Sequence, residues 1–354
     1  MWYDLYKQKR LSIILEISTY CNAKCPQCSR IDPNGLGVNN KFTPNLNMTL
    51  SEFKHYFPPE VLSRLFNIHF SGTFGDPLMN PDILEIIKYI ISTDDRCWVS
   101  INTNGSLRNE DFWWDLGSIG RRRLKVIFDI DGINQEMHEK YRRGTSLKKI
   151  LKNMDVLKYT PAKIHTFTVL FKHNQDFKDE IETLCRSHGS TECEMLQSNR
   201  FTDSPIFTFI NEKGETETLE QVSDKTLLSV DINRNYRRVR DYRFKEDHKK
   251  IKDFIRKKEN NIKQIPEINC VFLMSKQLHI DVSGIVYPCC YWEFSDPESN
   301  TMYNKFRNNL SKNDLKKYSF EDILSNEYFN NGIYESFKDK DLISNKCIFM
   351  CRKI

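Results

Sequence analysis

The sequence predicts an α/β fold, with a parallel sheet curved or closed into a barrel and a smaller α+β, cysteine-rich module behind it. Over roughly the first 200 residues, short β-branched or aromatic runs alternate with amphipathic helical patterns, which is typical of parallel strands joined by right-handed crossovers. Strands this apolar, with helices between them, favour a barrel covered on its outside. A doubly wound open sheet is the alternative, because periodicity alone does not separate the two.

Six strands are predicted in this first part of the chain. They are Leu11–Ile17, Phe66–Ser71, Cys97–Asn102, Leu124–Ile130, Lys163–Leu170 and Glu192–Leu196. Between them, Asn80, Pro81 and Asp82 supply an N-cap, a first-turn proline and an acid at the positive end of a helix. Ser146 can cap a later helix whose apolar residues recur at a 3.6-residue period.

The rest of the chain changes character twice. Residues 211–265 are polar and charged, and bases outnumber acids over 234–263. From Cys270 onward, Gln277–Val282 and Ile285–Tyr287 flank a Ser-Gly turn and predict a β-hairpin. We therefore expect a catalytic domain at 1–199, a basic bridging segment at 200–265 and a cysteine-rich module at 266–354. The basic segment could dock an acidic partner such as a peptide leader or an RNA backbone, although a solvated helix is the favoured interpretation.

Composition bounds the function. The chain has 354 residues, 39% hydrophobic and 29% charged, with a net charge of +5, which is typical of a globular protein. No apolar run approaches the ~20 residues that span a bilayer, and no signal peptide is recognisable, so we expect a cytoplasmic protein without a membrane partner. The small net charge does not indicate a nucleic-acid partner. Eleven cysteines in a reducing compartment favour metal ligands or catalytic thiols over disulfides.

The most specific motif follows the first strand: Cys21-Asn-Ala-Lys-Cys25-Pro-Gln-Cys28. Three thiolates at spacings of four and three can converge on one metal cluster from a single loop. A four-iron cubane held by three cysteines leaves one iron open for another ligand, as a catalytic zinc site keeps one position free. A zinc knuckle or incidental cysteines are the alternatives.

This loop resembles the CxxxCxxC signature of the radical S-adenosylmethionine (SAM) enzymes, and it lies where that family has it, after the first strand of a partial (β/α)6 TIM-like barrel. The resemblance implies a catalytic 4Fe–4S cluster on Cys21, Cys25 and Cys28, whose open iron binds the amino and carboxylate groups of SAM. An electron from the cluster then cleaves SAM to methionine and a 5′-deoxyadenosyl radical. The position before the third cysteine is usually aromatic and near the adenine; here Gln27 offers a flat amide in its place.

The ends of the second and third strands extend the resemblance. The segment from Ser71 resembles the family's Gly-Gly-Glu-Pro motif, which faces the SAM amino group; its candidate residues are Gly72, Gly75, Asp76 and Pro77. Glycines there let the backbone approach a ligand closely. The third strand ends like the family's Thr-Asn-Gly motif, which implies that Ser100, Asn102 and Asn104 face the ribose and methionine of SAM.

The fourth strand end departs from the family pattern of Ser-x-Asp-Gly, His and Arg. Asp129 stands at the serine position, where an acid is a poor partner for a carboxylate. We therefore expect Arg142 to bind the SAM carboxylate through its guanidinium fork, and Asp129 to contact ribose or substrate. His138 is expected to pack or cap rather than to catalyse.

The remaining cysteines form a second group and a set of core thiols. Cys270, Cys289, Cys347 and Cys351 resemble the ligands of the shortened SPASM domain called twitch, which implies an auxiliary 4Fe–4S cluster. The resemblance favours Cys289 over Cys290, and a four-cysteine zinc site is the alternative. Three further cysteines lie within strand or helix patterns and are predicted to be core residues: Cys97, Cys185 and Cys193.

Together these features predict a radical SAM oxidoreductase that abstracts a hydrogen from a small molecule, with the auxiliary cluster accepting an electron for a net oxidation. A peptide- or protein-modifying maturase, performing cross-linking or epimerisation, is the first alternative. The first strand begins near Leu11, so we expect no leader-recognition domain before it, which argues against that alternative. A non-catalytic iron–sulfur or zinc scaffold is the second. The implied reductant is a flavodoxin or ferredoxin.

Overall fold

A computed structural model describes most of the chain. The described residues are 2–32, 45–72, 74–198, 200–201, 204–223, 268, 270–290, 309–339, 342–343, 347 and 351. The basic stretch 234–263, predicted as a partner site or a solvated helix, lies outside them. The chain divides into two compact units, one comprising Met1–Leu15, Ser51–Asn67 and Asn233–Ile354, the other Glu16–Leu50 and Ile68–Ile232. The three-part division at residues 199 and 265 stays a prediction.

The six predicted strands and the predicted C-terminal hairpin occur in the predicted order, and two further strands lie at 206–210 and 216–220. The strands are β1 (Leu11–Leu15), β2 (Leu65–Phe70), β3 (Trp98–Thr103), β4 (Leu124–Asp129), β5 (Lys163–Leu170), β6 (Glu192–Gln197), β7 (Ile206–Ile210), β8 (Thr216–Glu220), β9 (Gln277–Ile280) and β10 (Val286–Tyr287). The helices are α1 (Trp2–Lys7), α2 (Leu50–Tyr56), α3 (Pro59–Leu62), α4 (Ile83–Thr93), α5 (Glu110–Gly120), α6 (Gln135–Glu139), α7 (Leu147–Leu157), α8 (Lys178–Ser187), α9 (Val271–Met274), α10 (Phe320–Ser325) and α11 (Ile333–Ser336).

The sheet topology confirms the predicted α/β barrel class. The strand order is β10-β9-β1-β2-β3-β4-β5-β6, and β7 and β8 form a separate antiparallel hairpin. The pairs β3–β4, β4–β5 and β5–β6 are parallel, with Ser100 beside Lys125 and Lys125 beside Lys163. This sequential order is that of a (β/α) barrel, whereas a doubly wound sheet reverses its order at a switch point.

The C-terminal hairpin is also confirmed, but its place in the sheet was not predicted. β9 and β10 are antiparallel, with Val286 beside Ile280. β9 in addition runs parallel to β1, with Ser12 beside Gln277. Part of the predicted α+β module thus extends the sheet that begins with β1.

The predicted start of α4 is wrong in one respect. Asn80 is not the N-cap residue, although its Oδ1 accepts from the Asp82 N–H at 2.8 Å; its Nδ2 donates to the carbonyls of Ile17 (2.7 Å) and Met48 (2.8 Å). The N-cap position belongs to Asp82, whose carboxylate accepts instead from the Leu50 N–H at 2.8 Å. Ser146 caps α7 as predicted, accepting from the Lys149 N–H.

Helix α5 packs on one face of the sheet. Val99, Ile101 and Phe128 on that face are fully buried, and the Trp113 ring of α5 lies 5.1 Å from that of Phe128. The Trp113 indole N–H donates to the Leu107 carbonyl at 3.1 Å, so its polar atom is satisfied as well. Within the described residues, every helix is too short or too polar to span a bilayer.

Truncation of Trp113 tests this packing. Trp113→Ala should lower the free energy of unfolding by about 3–5 kcal/mol, because a large buried ring leaves a cavity. Its neighbour Trp114 is 51% exposed, so Trp114→Ala is the matched control and should cost less than about 0.5 kcal/mol. Denaturant unfolding followed by circular dichroism measures both, and equal losses would contradict the burial pattern.

Candidate active site

The three cysteines of the first motif lie close together on the loop that follows β1. The Cys28 N–H donates to the Cys25 carbonyl at 2.9 Å, which forms a tight turn between them. Burial raises the pKa of the Cys25 thiol to about 12. Burial, followed by the charges of Asp76 and Cys25, raises the pKa of the partly buried Cys21. Thiols clustered in this way resist ionisation unless a metal takes up the negative charge. This donor set therefore fits a metal cluster.

The loop is anchored to a second segment, just after α6. Asn22 donates to the Gly144 carbonyl at 3.3 Å, and the Lys24 N–H donates to the Arg143 carbonyl at 2.9 Å. Gly144 has φ +74°, and a Cβ there would lie 2.8 Å from the Asn22 carbonyl oxygen. Glycine is needed at this position for both reasons.

Asp76, at the end of β2, is a buried junction. Its carboxylate accepts from the Thr103 hydroxyl at 2.9 Å, from the Leu78 N–H at 2.9 Å, and from the main-chain and side-chain N–H groups of Asn104 at 2.8 and 2.7 Å. Burial raises the pKa of Asp76, and these hydrogen bonds oppose the rise. The residue predicted to contact SAM therefore joins the ends of β2 and β3, and any direct contact stays a prediction.

The two predicted glycines allow segments of the protein's own backbone to approach one another closely. A Cβ on Gly75 would lie 2.1 Å from the Ser18 carbonyl oxygen, and one on Gly72 would lie 1.5 Å from the Gly75 carbonyl oxygen. Pro77 is buried and begins a short 3-10 turn, Pro77–Met79. The motif thus folds tightly against the start of the cysteine loop.

The polar residues on and just after β3 differ in their hydrogen-bond partners. Ser100 Oγ lies 2.8 Å from His69 Nδ1. Asn104 Nδ2 donates to Asn22 Oδ1 at 2.9 Å and lies 3.9 Å from Cys21 Sγ, so it supports the cysteine loop. Asn102 Oδ1 is buried and has no hydrogen-bond partner among the described residues. Of the three predicted SAM contacts, Asn102 is the one with an unused buried acceptor.

Arg142 is held by two carboxylates. Its Nη1 donates to Asp129 at 2.9 Å and its Nε to Asp131 at 2.6 Å. Burial opposes its charge, but Asp129 and Asp131 keep its pKa well above the usual value. Burial raises the pKa of Asp129 to about 7, although Arg142 opposes that rise. The predicted binding of a SAM carboxylate by Arg142 would have to share or displace these acids; sequence reasoning missed Asp131 as a partner.

His138 packs beneath this group, as predicted. It is fully buried, with Nδ1 accepting from the Asp131 N–H at 3.2 Å and Nε2 lying 3.0 Å from Thr145 Oγ1. Burial lowers its pKa to about 3. His138 is thus neutral and positions Asp131.

Gln27 is fixed by residues after β6 that the sequence did not connect with it. Its Oε1 accepts from the Ser198 hydroxyl at 2.7 Å, and its carbonyl accepts from Arg200. The side-chain Nε2 is buried without a partner among the described residues. An unused, oriented N–H donor suits a flat ligand with acceptor atoms.

The sheet face opposite α5 carries polar and charged side chains beside apolar ones. Strand register aligns Ser100 with Lys125, Asn102 with Ile127, and Ile127 with His165. His165 Nδ1 lies 3.2 Å from Glu192, and burial lowers the pKa of Lys125 while Glu192 and Glu194 oppose the shift. A closed barrel core is filled with bulky apolar side chains; this face, which we call the polar sheet face, is suited instead to a polar ligand.

The second cysteine group is assembled in the other unit. Its hydrogen bond with Cys351, followed by burial and the charge of Cys289, raises the pKa of Cys270. These three cysteines are therefore neighbours, and the assignment of Cys289 and Cys347 as ligands stays a prediction. The predicted core cysteines, Cys97, Cys185 and Cys193, are all buried.

Comparison with known families accounts for both cysteine groups. Residues 15–187 match the model of the radical SAM superfamily. Residues 270–353 match the SPASM family, described as an iron–sulfur cluster-binding domain.

The curated relatives share low identity with this chain. The AdoMet-dependent heme synthase of Methanosarcina barkeri is 29% identical over 163 residues, which is 46% of this chain and 43% of the relative. A GTP 3′,8-cyclase of Alkaliphilus oremlandii is 25% identical over 51% of this chain and 54% of its own length. These two matches therefore span about half of each relative or less. A GTP 3′,8-cyclase of Clostridium perfringens is 22% identical over 97% of both chains.

Solved structures share the fold. Streptococcus suis SuiB bound to S-adenosylmethionine superposes with a TM-score of 0.56 at 13% identity, covering 91% of this chain and 67% of that one. The enzyme anSMEcpe with bound AdoMet superposes with a TM-score of 0.53 at 14% identity, covering 93% and 81%. These structures show the shared fold, and the two family matches together show that the chain belongs to the radical SAM superfamily and carries a C-terminal SPASM domain.

Proposed function

We propose that this protein is a radical SAM oxidoreductase that abstracts a hydrogen from a polar small molecule for a net oxidation. Membership implies a catalytic 4Fe–4S cluster, an auxiliary iron–sulfur cluster and SAM. Together the catalytic cluster and SAM supply a 5′-deoxyadenosyl radical when bound. The observation that carries the proposal is the cluster of three loop thiols, of which Cys25 is buried within the electrostatic reach of Arg142 and Asp129 at the carboxyl end of β4.

Three groups of residues would serve these cofactors. Cys21, Cys25 and Cys28 would hold the catalytic cluster. Gln27 would donate Nε2 to the adenine of SAM, and Asn102 would accept from a ribose hydroxyl or the amino group; both atoms are buried and unused in the described structure. Each such atom costs about 1–3 kcal/mol unless a ligand or water satisfies it.

The SPASM cysteines would carry the auxiliary cluster. Cys270, Cys289 and Cys351 are neighbours, and Cys347 would complete the set. These cysteines would hold a cluster that supplies an acceptor for the electron of the substrate radical, and a flavodoxin or ferredoxin would supply the electron for the catalytic cluster. Cluster potentials vary with charge, hydrogen bonding and exposure, so this direction of electron flow is part of the proposal.

The polar sheet face supports a small polar substrate. Lys125 lies on it, aligned with Ser100, and an apolar substrate would leave the buried Asn102 side-chain carbonyl without a partner. The relatives are named heme synthase and GTP 3′,8-cyclase, and both names describe enzymes that act on small molecules. The second candidate function is that of a peptide-modifying maturase. It is favoured by the similarity in fold to Streptococcus suis SuiB bound to its precursor peptide SuiA, with a TM-score of 0.57 at 13% identity.

Loss of one loop thiol should remove SAM cleavage and half of the iron. Anaerobically reconstituted wild type should contain about eight irons per chain and form 5′-deoxyadenosine after reduction, whereas Cys25→Ala should retain about four and form none. Cys97→Ala is the control, because that buried thiol lies outside both groups. A Cys25→Ala protein that still forms 5′-deoxyadenosine would refute the catalytic assignment, and a wild type with zinc in the second site would refute the electron-acceptor role.

SAM binding should weaken as pH rises through about 7. Asp129, whose pKa burial raises to about 7, is neutral below that pH, so Arg142 then has one fewer carboxylate competing with that of SAM. Above it, the ionised Asp129 repels the incoming carboxylate and occupies Nη1. Equilibrium binding of SAM between pH 6 and 8.5 measures this dependence.

Asp129→Asn is the control for that titration, because it keeps the side-chain shape without the charge. The variant should bind SAM more tightly than wild type at pH 8 and nearly equally at pH 6. Identical pH profiles for the two proteins would exclude Asp129 and Arg142 from the SAM carboxylate site.

A further inference from the structure

The β7–β8 hairpin lies between the two family matches and has no part in the function proposed above. Within the described chain its two strands form their own sheet, with Phe207 opposite Leu219 and Phe209 opposite Glu217. A two-stranded hairpin is marginally stable by itself in water. Its order must therefore come from the surface on which it packs.

That surface is the cysteine loop. Phe209 and Leu219 are 4% and 3% exposed and lie in one apolar cluster with Ala23 and Cys25. Cys21, Cys28 and Phe207 pack against the same cluster. The opposite face of the hairpin is solvent-facing, as the 48% exposure of Ile206 shows. One face of the hairpin is thus buried in the apolar cluster that contains Cys25 and borders Cys21 and Cys28.

Arg143 joins the hairpin to the loop. Its carbonyl accepts from the Lys24 N–H at 2.9 Å, which holds the loop backbone. Its guanidinium donates to Glu212 at 3.1 Å and to Glu217, and lies 4.9 Å from the centroid of the Phe209 ring. The Arg143 side chain is mostly buried, with 16% exposed, whereas its two glutamate partners are partly exposed.

A second attachment holds the far end of the hairpin. The Lys172 N–H donates to the Glu220 carbonyl at 3.0 Å, and its ammonium pairs with the Glu220 carboxylate at 2.6 Å. Lys172 follows β5, so this attachment fixes the hairpin to the barrel strands. Lys172 and Glu220 are far from the cysteine loop in sequence, and their side chains are about half exposed.

We propose that the β7–β8 hairpin is a cover, positioned by Arg143, that keeps solvent, chelators and oxidants away from the three loop cysteines. An apolar shell around a metal site controls solvent access and, through the local dielectric, the redox potential. That the covered metal is the catalytic cluster rests on the proposed function; the cover itself rests on the packing of the hairpin on the thiols. Arg143 is thus a positioning residue.

The test compares Arg143→Met with Arg186→Met, in which an exposed ion pair to Glu182 at 2.6 Å is lost instead. Reconstituted, reduced protein is exposed anaerobically to an iron chelator, and freed thiols are trapped with iodoacetamide and quantified by peptide mass spectrometry. Arg143→Met should release the peptide carrying Cys25 about tenfold faster, because the covered state loses its ionic attachment. Arg143→Lys should fall between wild type and Arg143→Met, and Arg186→Met should match wild type.

The other cysteines of the same protein serve as internal references in this experiment. Release of Cys270 and Cys289 should not change, and neither should labelling of the buried Cys97 and Cys185. An unchanged Cys25 rate in Arg143→Met would overturn the proposal. A uniform acceleration at all of these thiols would also overturn it, because Arg143 would then stabilise the whole fold rather than the cover.

A second arm uses the metal-free protein, with N-ethylmaleimide as the probe of Cys25. The same order of rates is expected, since the hairpin packs on the loop itself. Because this arm requires neither cluster nor turnover, a protein that forms no 5′-deoxyadenosine but shows Arg143-dependent labelling retains the cover and loses the proposed function. A protein that forms 5′-deoxyadenosine but labels independently of Arg143 retains the function and loses the cover.

Discussion

The buried carboxylate of Asp76 is the interaction on which the site depends. It accepts from Thr103 and twice from Asn104, while its own N–H donates to the Tyr20 carbonyl at 2.8 Å. One charged group therefore holds together the ends of β2 and β3 and the segment that enters the cysteine loop. A buried carboxylate is costly unless it is fully hydrogen-bonded, so these donors fix its position. Asn104, oriented in this way, in turn contacts Cys21.

A second buried carboxylate group sets the electrostatics of the opposite side of the loop. Arg142 lies between Asp129 and Asp131, so the site carries an excess of negative charge unless Asp129 is protonated. The next residue, Arg143, points its cation in another direction, towards Glu212 and Glu217 of the hairpin. These adjacent arginines thus have different roles. Arg142 carries positive charge at the site, and Arg143 holds the hairpin cover over the thiols.

The sequence was sufficient where the information is local. The three cysteines lie within eight residues, and sequential strand pairing follows from the period of the strands and helices. The sequence did not predict the partners of the polar side chains. A carboxylate that accepts from the protein's own backbone, as Asp76 does, is the same residue type as one that binds a ligand. The β7–β8 hairpin was missed within a stretch judged polar, although the alternation of Phe207, Thr208 and Phe209 has the two-residue period of a strand. The parallel pairing of β9 with β1 depends on residues far apart in the chain, which no local pattern reports.

The central claim is that the loop cysteines hold a cluster with one iron open to SAM. The most direct test is the electron paramagnetic resonance spectrum of the reduced, reconstituted protein, recorded with and without SAM. The account predicts that SAM changes the signal of one cluster and leaves the other unchanged, and that the SAM-sensitive signal is missing from Cys21→Ala but present in Cys290→Ala. A fully loaded protein whose spectrum does not respond to SAM, or responds equally in Cys21→Ala, would contradict it.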